Sequence, residues 1–133
     1  MKRKIELTLL FRSPICPVIV VSRDRLYSSK NLEGLVRYLL LSGPLDGENY
    51  VKVIDSTGEE FWYYRDRGIL SPGFVFKKWT KRRIIDLFNE SINSKEIGMN
   101  YPNQSISSKR LSRIIGEISE LIAGHNKGTI WET

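Results

Sequence analysis

Two stretches near the start of the chain have residue patterns that are typical of β-strands. Residues 4–11 place Ile5, Leu7, Leu9 and Phe11 at every second position, a period of two that predicts a half-buried strand. Residues 18–21 are a continuous β-branched run, Val-Ile-Val-Val, which predicts a second strand covered on both faces. We expect these two strands to pair with each other. We expect the polar residues 23–30 to form a loop.

Further strands are predicted around a glycine-containing turn. Residues 50–55 and 61–64 are rich in aromatic and β-branched side chains and flank Ser56-Thr57-Gly58-Glu59. Gly58 can adopt the left-handed conformation that closes a short hairpin. Ser71-Pro72-Gly73 then predicts a turn, followed by a short fifth strand at residues 73–76.

Three segments carry apolar residues at helical spacing. The first covers residues 32–40, with Ser29 or Asn31 as its cap and Gly43-Pro44 as its stop. The second opens at Trp79-Thr80 and its apolar stripe extends to Ile92. The third begins at Ser107 or Ser108 and ends at Gly124.

The order of these elements, ββαββ(β)αα, predicts an α+β fold. We expect a small antiparallel sheet of four to five strands covered by three helices. A chain of 133 residues that is 41% hydrophobic and 27% charged is globular in composition and long enough for its own core. Residues 1–133 therefore predict one domain, with residues 125–133 as a loose C-terminal tail.

The excess positive charge lies in one segment, residues 65–83, which we call the basic segment. The whole chain has 21 lysines and arginines and 15 acids. The basic segment holds seven of these cations and one acid, so the rest of the chain carries 14 cations and 14 acids. A lone cysteine, Cys16, excludes an intrachain disulfide and is typical of a reducing compartment. No apolar run reaches the length of a bilayer span, and the basic N-terminus lacks a signal-peptide pattern. We expect a cytoplasmic protein with no membrane partner.

The second helix carries cations where a helix usually carries acids. Its N-terminus already has a partial positive charge, and an anion would relieve the resulting repulsion. The third helix repeats a weaker version of this pattern. The alternative is a solvated face with Arg82 paired to Asp86 and Arg113 to Glu117. The predicted anion-binding or nucleic-acid-binding residues are Arg65, Arg67, Lys77, Lys78, Trp79, Lys81, Arg82, Arg83, Lys109 and Arg110.

Aromatic side chains lie beside these cations in the sequence. Stacking aromatics next to cations are typical of proteins that bind single-stranded nucleic acid without sequence preference. Alternation along residues 61–64 sends half of the aromatics to each face, so at least half should be core. We expect Trp62 and Tyr64, or Trp79, to stay partly exposed. The other aromatics of the group are Phe61, Tyr63, Phe74 and Phe76.

Catalytic chemistry has little support in the sequence. One histidine, His125, and one distant cysteine form neither a metal cluster nor a nucleophile pair. Asp55, Glu59 and Glu60 surround one turn and offer oxygen ligands for a divalent cation, but acids in turns usually form the turn itself. We predict no catalytic residue, no metal site and no cofactor.

Two functional hypotheses follow. The first is a small binding protein whose basic, aromatic-rich edge binds a polyanion without base-specific readout. Nucleic acid is the polyanion that we favour. The alternative is a protein-interaction or homo-oligomeric assembly module without enzymatic activity. In that case the basic segment would meet residues 31–64 of a neighbouring subunit, where six acids face two cations.

Overall fold

The computed structural model describes residues 7–23, 25–41, 50–73 and 77–125, and they form an α+β fold. A mixed six-stranded sheet and five helices are present in these ranges, where we expected an antiparallel sheet and three helices. The strands are β1 Thr8–Leu9, β2 Val18–Ser22, β3 Arg25–Ser29, β4 Val51–Ile54, β5 Glu60–Tyr64 and β6 Ile69–Pro72. The helices are α1 Leu32–Leu41, α2 Lys81–Asn89, α3 Ile92–Ile97, α4 Ser105–Ser108 and α5 Leu111–His125.

The strand order is β1-β6-β5-β4-β2-β3, and all neighbours are antiparallel except β1 and β6. The expected pairing of the first two strands is therefore wrong. β1 lies at the opposite edge from β3, where Thr8 pairs with Ile69. A period of two specifies which face of a strand is buried but not which strand lies beside it. Of the predicted first strand, residues 4–6 lie outside the described residues.

The loop predicted at residues 23–30 contains a strand instead. β3 pairs with β2 from Arg25 to Ser29, and its side chains alternate between buried and half-buried. Leu26 and Tyr27 pack on opposite sides of the sheet. The polar composition was misleading because two serines occupy strand positions; Ser28, for example, donates to the Ser119 carbonyl at 2.8 Å.

The turn predicted at Ser71-Pro72-Gly73 begins within a strand, and most of the predicted fifth strand cannot be compared. β6 covers Ile69–Pro72, with Phe61 opposite Pro72 and Tyr64 opposite Ile69. Gly73 lies beyond its end, and residues 74–76 lie outside the described part of the chain. Pro72 is tolerated because β1 pairs with β6 only at Ile69 and Leu70, so no strand lies beside Pro72 on that side to need its missing N–H.

The sheet separates two apolar clusters. α1 covers one face through Leu35 and Leu39. α2 and α5 cover the other face, where Phe88 and Ile118 are fully buried. In the described ranges, no helix is both long and apolar enough to cross a membrane.

The helix boundaries follow local capping. Asn31 Oδ1 accepts from the Gly34 N–H at 2.7 Å at the start of α1, while the predicted stop at Gly43-Pro44 lies outside the described residues. α2 begins after Thr80, as predicted. The apolar stripe to Ile92 is broken because Ser91 caps a separate helix, α3.

The last helix starts later than predicted and ends one residue later. Ser107 and Ser108 belong to the short helix α4, and α5 runs from Leu111 to His125. The predicted loose tail, apart from His125, lies outside the described residues.

Candidate functional site

The turn between β4 and β5 brings two cationic helix starts together. The Gly58 carbonyl accepts a 2.8 Å hydrogen bond from the backbone N–H of Trp79. A side-chain carbon on Gly58 would lie 2.8 Å from Leu111, so α5 begins on the same turn. The Lys81 ammonium donates to the Ile106 carbonyl at 3.1 Å and joins α2 to α4. We call the cations at these helix starts the basic rim: Lys77, Lys78, Lys81, Arg82, Arg83, Lys109 and Arg110.

The side chains of four exposed members of the basic rim make no hydrogen bond or ion pair to other described residues: Lys77, Lys78, Arg82 and Arg110. The predicted pair of Arg82 with Asp86 is not among the ion pairs of the described ranges. The predicted pair of Arg113 with Glu117 is present, with Nε to Oε2 at 3.1 Å. Of the two ion pairs in the alternative interpretation, the pair on α5 is therefore present and the pair on α2 is not. Exposed, unpaired cations fit both the anion-binding interpretation and the solvated face.

Lys109 is held within the fold. Its ammonium lies 2.7 Å from Glu117 Oε1, and the Tyr101 hydroxyl donates to the same oxygen at 2.6 Å. Together with Arg113, these donors lower the pKa of Glu117 to about 2. The Glu117 carboxylate in turn raises the pKa of Lys109. Lys109 is thus less available to an external anion than its sequence position indicated.

Trp79 is a structural residue, contrary to the option that it stays partly exposed. It is 7% exposed, and its indole N–H donates to Glu60 Oε1 at 2.8 Å. The Arg83 guanidinium lies 4.0 Å from the centre of the ring and the Lys52 ammonium 5.7 Å from it. Cations over an indole face are favourable, so Trp79 orients Arg83 rather than presenting its own ring.

Partly exposed aromatic rings lie beside this tryptophan on the same side of the sheet. Tyr50 and Trp62 stack with ring centroids 4.4 Å apart, and Tyr64 lies 6.0 Å from Tyr50. All three are half-buried, which agrees with the expectation for Trp62 and Tyr64. We call Tyr50, Trp62 and Tyr64 the aromatic face. Because Phe61 and Tyr63 pack on the opposite, fully covered side, the alternation predicted for this strand is confirmed.

Glu60 connects the aromatic face to the basic rim. Its carboxylate accepts the Trp62 indole N–H at 2.6 Å and the Trp79 indole N–H at 2.8 Å. Glu60 is 8% exposed, so both hydrogen bonds form with little competition from water. Trp62 is thereby fixed in orientation next to the start of α2.

Arg65 and Arg67 lie at the other end of β5. They occupy the turn between β5 and β6, are exposed, and make no ion pair within the described ranges. The five residues of β5 span about 17 Å at the usual rise per strand residue. The predicted cations therefore do not form one cluster, and the aromatic face lies between two positive ends.

The first turn of α2 lacks an acid, as predicted. Thr80 Oγ1 caps it by accepting from the Arg83 N–H at 3.2 Å. α5 also has no acid in its first turn. The positive ends of the α2 and α5 dipoles and the cations of the basic rim therefore all contribute to a positive potential at the β4–β5 turn.

The acids of that turn have structural roles. Asp55 is 1% exposed, and its Oδ1 accepts from Thr57 N, Thr57 Oγ1 and Glu59 N at 2.9, 2.6 and 3.1 Å. Glu59 forms an ion pair with Arg12. No group of three potential metal ligands occurs in the described ranges. The Asp55 carboxylate thus forms the turn, which is the simpler of the two sequence interpretations.

These contacts also bear on the alternative assembly hypothesis. It requires acids in residues 31–64 that are free to meet a basic segment. Asp55 and Glu60 are buried, and Glu59 is paired. Of the remaining three acids, Glu33 is exposed on α1, and Asp46 and Glu48 lie outside the described residues. This reduces the acidic surface on which the hypothesis depends.

Two features of the site were not identified from the sequence. The sequence indicates only a turn residue or a metal ligand at Glu60, because its tryptophan partners follow from strand pairing and from a contact 19 positions away. Phe11 was placed on the buried side of the first strand, yet it is 89% exposed with a φ of 70°. β1 ends at Leu9, so the alternation no longer governs Phe11.

No protein-family model, curated protein or solved structure matches this chain. Its function is therefore inferred from the geometry and chemistry of its own residues.

Proposed function

We propose that the protein binds single-stranded nucleic acid without base-specific readout, along the aromatic face and between its two positive ends. The observation that carries the proposal is the position of Tyr50, Trp62 and Tyr64. They lie between the basic rim and the β5–β6 turn that holds Arg65 and Arg67. Bases would stack on the rings while phosphates contact the unpaired cations. Aromatic faces tolerate any base, so little sequence preference is expected.

Three further features support the proposal. Lys77, Lys78 and Arg82 are exposed cations without an internal partner among the described residues. The Glu60 carboxylate fixes Trp62 in place before any ligand arrives, which lowers the entropy cost of stacking. Arg83 is held above Trp79 at the side of the aromatic face.

The test is fluorescence anisotropy with a labelled mixed-sequence 12-nucleotide DNA over a range of salt concentrations. The variant Lys78→Ala/Arg82→Ala removes two free cations. Its matched control, Arg37→Ala/Lys95→Ala, removes two exposed cations from other helices. Each lost phosphate contact should reduce the slope of log K against log salt by about 0.7. We expect a reduction of about 1.4 for the first variant and none for the control.

A separate variant tests stacking. Trp62→Ala should lower affinity by about 1–3 kcal/mol per lost stacked base and leave the salt slope unchanged. Circular dichroism would verify that the variant is folded. The proposal fails if the wild-type protein does not bind the oligonucleotide at low salt, or if the control pair weakens binding as much as Lys78→Ala/Arg82→Ala.

A further inference from the structure

The loop that follows β1, residues 10–15, carries three of the five large apolar side chains that are exposed among the described residues. Phe11 is 89% exposed, Ile15 58% and Leu10 38%. We call this segment the apolar loop. Exposed apolar side chains that cluster are typical of a binding surface.

The backbone holds Phe11 outward in a strained conformation. Phe11 has a φ of 70°, which is unfavourable for a bulky side chain. The Arg12 N–H donates to the Leu10 carbonyl at 2.8 Å, so Phe11 is the central residue of a γ-turn, and a γ-turn with positive φ is the rare, strained form. Burial of the side chain does not offset this strain, because the side chain is exposed. Strained residues of this kind cluster at binding sites.

The segment after the γ-turn is fixed to the β4–β5 turn. The Arg12 guanidinium pairs with the Glu59 carboxylate. The Ile15 N–H donates to Asp55 Oδ2 at 3.0 Å, and the Ile15 carbonyl accepts from the Ser56 N–H at 2.9 Å. The exposed ring therefore protrudes from a loop that is itself anchored, which lowers the entropy cost of binding through that ring.

The apolar loop lies at the same end of the sheet as the basic rim. β1 runs parallel to β6, and β6 runs antiparallel to β5, so β1 ends at the level where β5 begins, near Glu60. Only β6 separates the two strands, which places them about 10 Å apart at the usual strand spacing. The β4–β5 turn that holds the apolar loop also accepts the Trp79 N–H at the start of α2. One ligand at this end can therefore reach the basic rim and Phe11.

The charges beside the apolar loop favour an anionic ligand. Asp55 is 1% exposed and Glu59 is paired with Arg12, so neither acid of the turn is free. Lys78 and Arg82, at the start of the helix that begins on this turn, have no partner among the described residues. A polyanion that also presents flat aromatic faces fits both the cations and the exposed ring, and single-stranded nucleic acid is such a ligand.

We propose that Phe11 forms a second stacking site for single-stranded nucleic acid, separate from the aromatic face and supplied by the apolar loop. This inference rests on the proposed function. It extends the path of the ligand from β5 across the end of the sheet to β1. A base on the Phe11 ring adds affinity without adding a phosphate contact.

The experiment is the anisotropy titration with the labelled 12-nucleotide DNA, on the full-length protein and three variants of the apolar loop. Phe11→Gly removes the ring, and glycine adopts a positive φ without strain. Phe11→Tyr keeps an aromatic ring. Ile15→Ala is the matched control, because it removes an exposed apolar side chain from the same loop. Circular dichroism verifies that each variant is folded.

We expect Phe11→Gly to lower the affinity for the DNA by a factor of about five or more and to leave the salt slope unchanged. Phe11→Tyr and Ile15→Ala should both bind within about twofold of the wild type, since neither loses a stacking ring. A second measurement is photo-crosslinking with the same DNA carrying iodouracil, followed by mass spectrometry. The crosslink should map to Phe11 in the wild type and be absent there in Phe11→Gly.

The inference alone is overturned if Trp62→Ala weakens binding and Phe11→Gly does not. A wild-type protein that does not bind the DNA overturns the proposed function together with the inference. If Ile15→Ala weakens binding as much as Phe11→Gly, the loop provides a general apolar contact and stacking is refuted. Two other results assign the ring to a different occupant: Phe11→Gly abolishes a wild-type dimer in sedimentation, or it abolishes binding to anionic phospholipid vesicles, in each case with DNA binding unchanged.

Discussion

Replacing Glu60 by glutamine tests how the aromatic face is fixed. In the native protein one carboxylate accepts two indole N–H groups, from Trp62 at 2.6 Å and from Trp79 at 2.8 Å. Glutamine retains a single carbonyl oxygen and places an NH₂ group where the second oxygen was. One indole N–H would then face another donor, and it would do so at a site where Glu60 is 8% exposed.

The magnitude follows from these contacts. A hydrogen bond to a charged group contributes about 1.5–3 kcal/mol, and an unsatisfied buried donor costs about 1–3 kcal/mol. One hydrogen bond would then have a neutral acceptor in place of a carboxylate, and the other would be lost. Glu60→Gln should therefore lower the free energy of unfolding by about 2–4 kcal/mol. In a Trp62→Phe background only Trp79 needs an acceptor, so the same substitution should cost about 1 kcal/mol.

The assay is urea denaturation followed by far-ultraviolet circular dichroism for the wild type, both single variants and the double variant. The expected coupling energy of about 1–3 kcal/mol is the difference between the two costs of Glu60→Gln. The reasoning is refuted if Glu60→Gln unfolds within about 0.5 kcal/mol of the wild type. It is equally refuted if the substitution costs the same in both backgrounds.

Two further predictions concern the edges of the helical layer. Asn93→Ala should destabilise the protein by about 2–4 kcal/mol, because the N–H and the carbonyl of Leu26 would both lose their hydrogen bond to the Asn93 side chain. Asn103→Ala, at an exposed position, is the control in the same urea experiment. Equal effects of the two variants would contradict the assignment. The pKa of Glu117 is about 2 against an ordinary 4.5, so its stabilising contribution should be complete above pH 4.5 and be lost as the pH falls toward 2. Tyr101→Phe should raise this pKa, which carbon-detected NMR titration of the Glu117 carboxyl measures; an unchanged value would show that the phenol hydroxyl has no such role.

Local features were predictable from the sequence where the deciding contact is local. Thr80 begins α2 because its hydroxyl reaches a backbone N–H three residues ahead. The two faces of β5 follow from alternation alone, and Gly58 has the positive φ of 86° that its turn requires. The α+β class follows from the order of such elements.

Other features depend on partners distant in sequence. β3 forms from a polar segment because Asn93 and Ser119 satisfy groups on its outer side. Trp79 is buried because Glu60 accepts its indole N–H. The partners of β3 and of Trp79 could not be assigned before the strand order was known. Lys109 likewise depends on a partner eight residues away, because the single carboxylate of Glu117 forms ion pairs with both Lys109 and Arg113.

The parallel pairing of β1 with β6 determines the order in which the sheet is completed during synthesis. β2 and β3 are adjacent in sequence and can pair as soon as both have left the ribosome. β1 is made first, yet its partner Ile69 follows only after four other strands and α1. Closing so long a loop is slow relative to forming a local hairpin. During that interval the outer edge of the nascent sheet and the apolar residues Leu7 and Leu9 have no native cover. β1 can therefore join the sheet only after β6 has been synthesised.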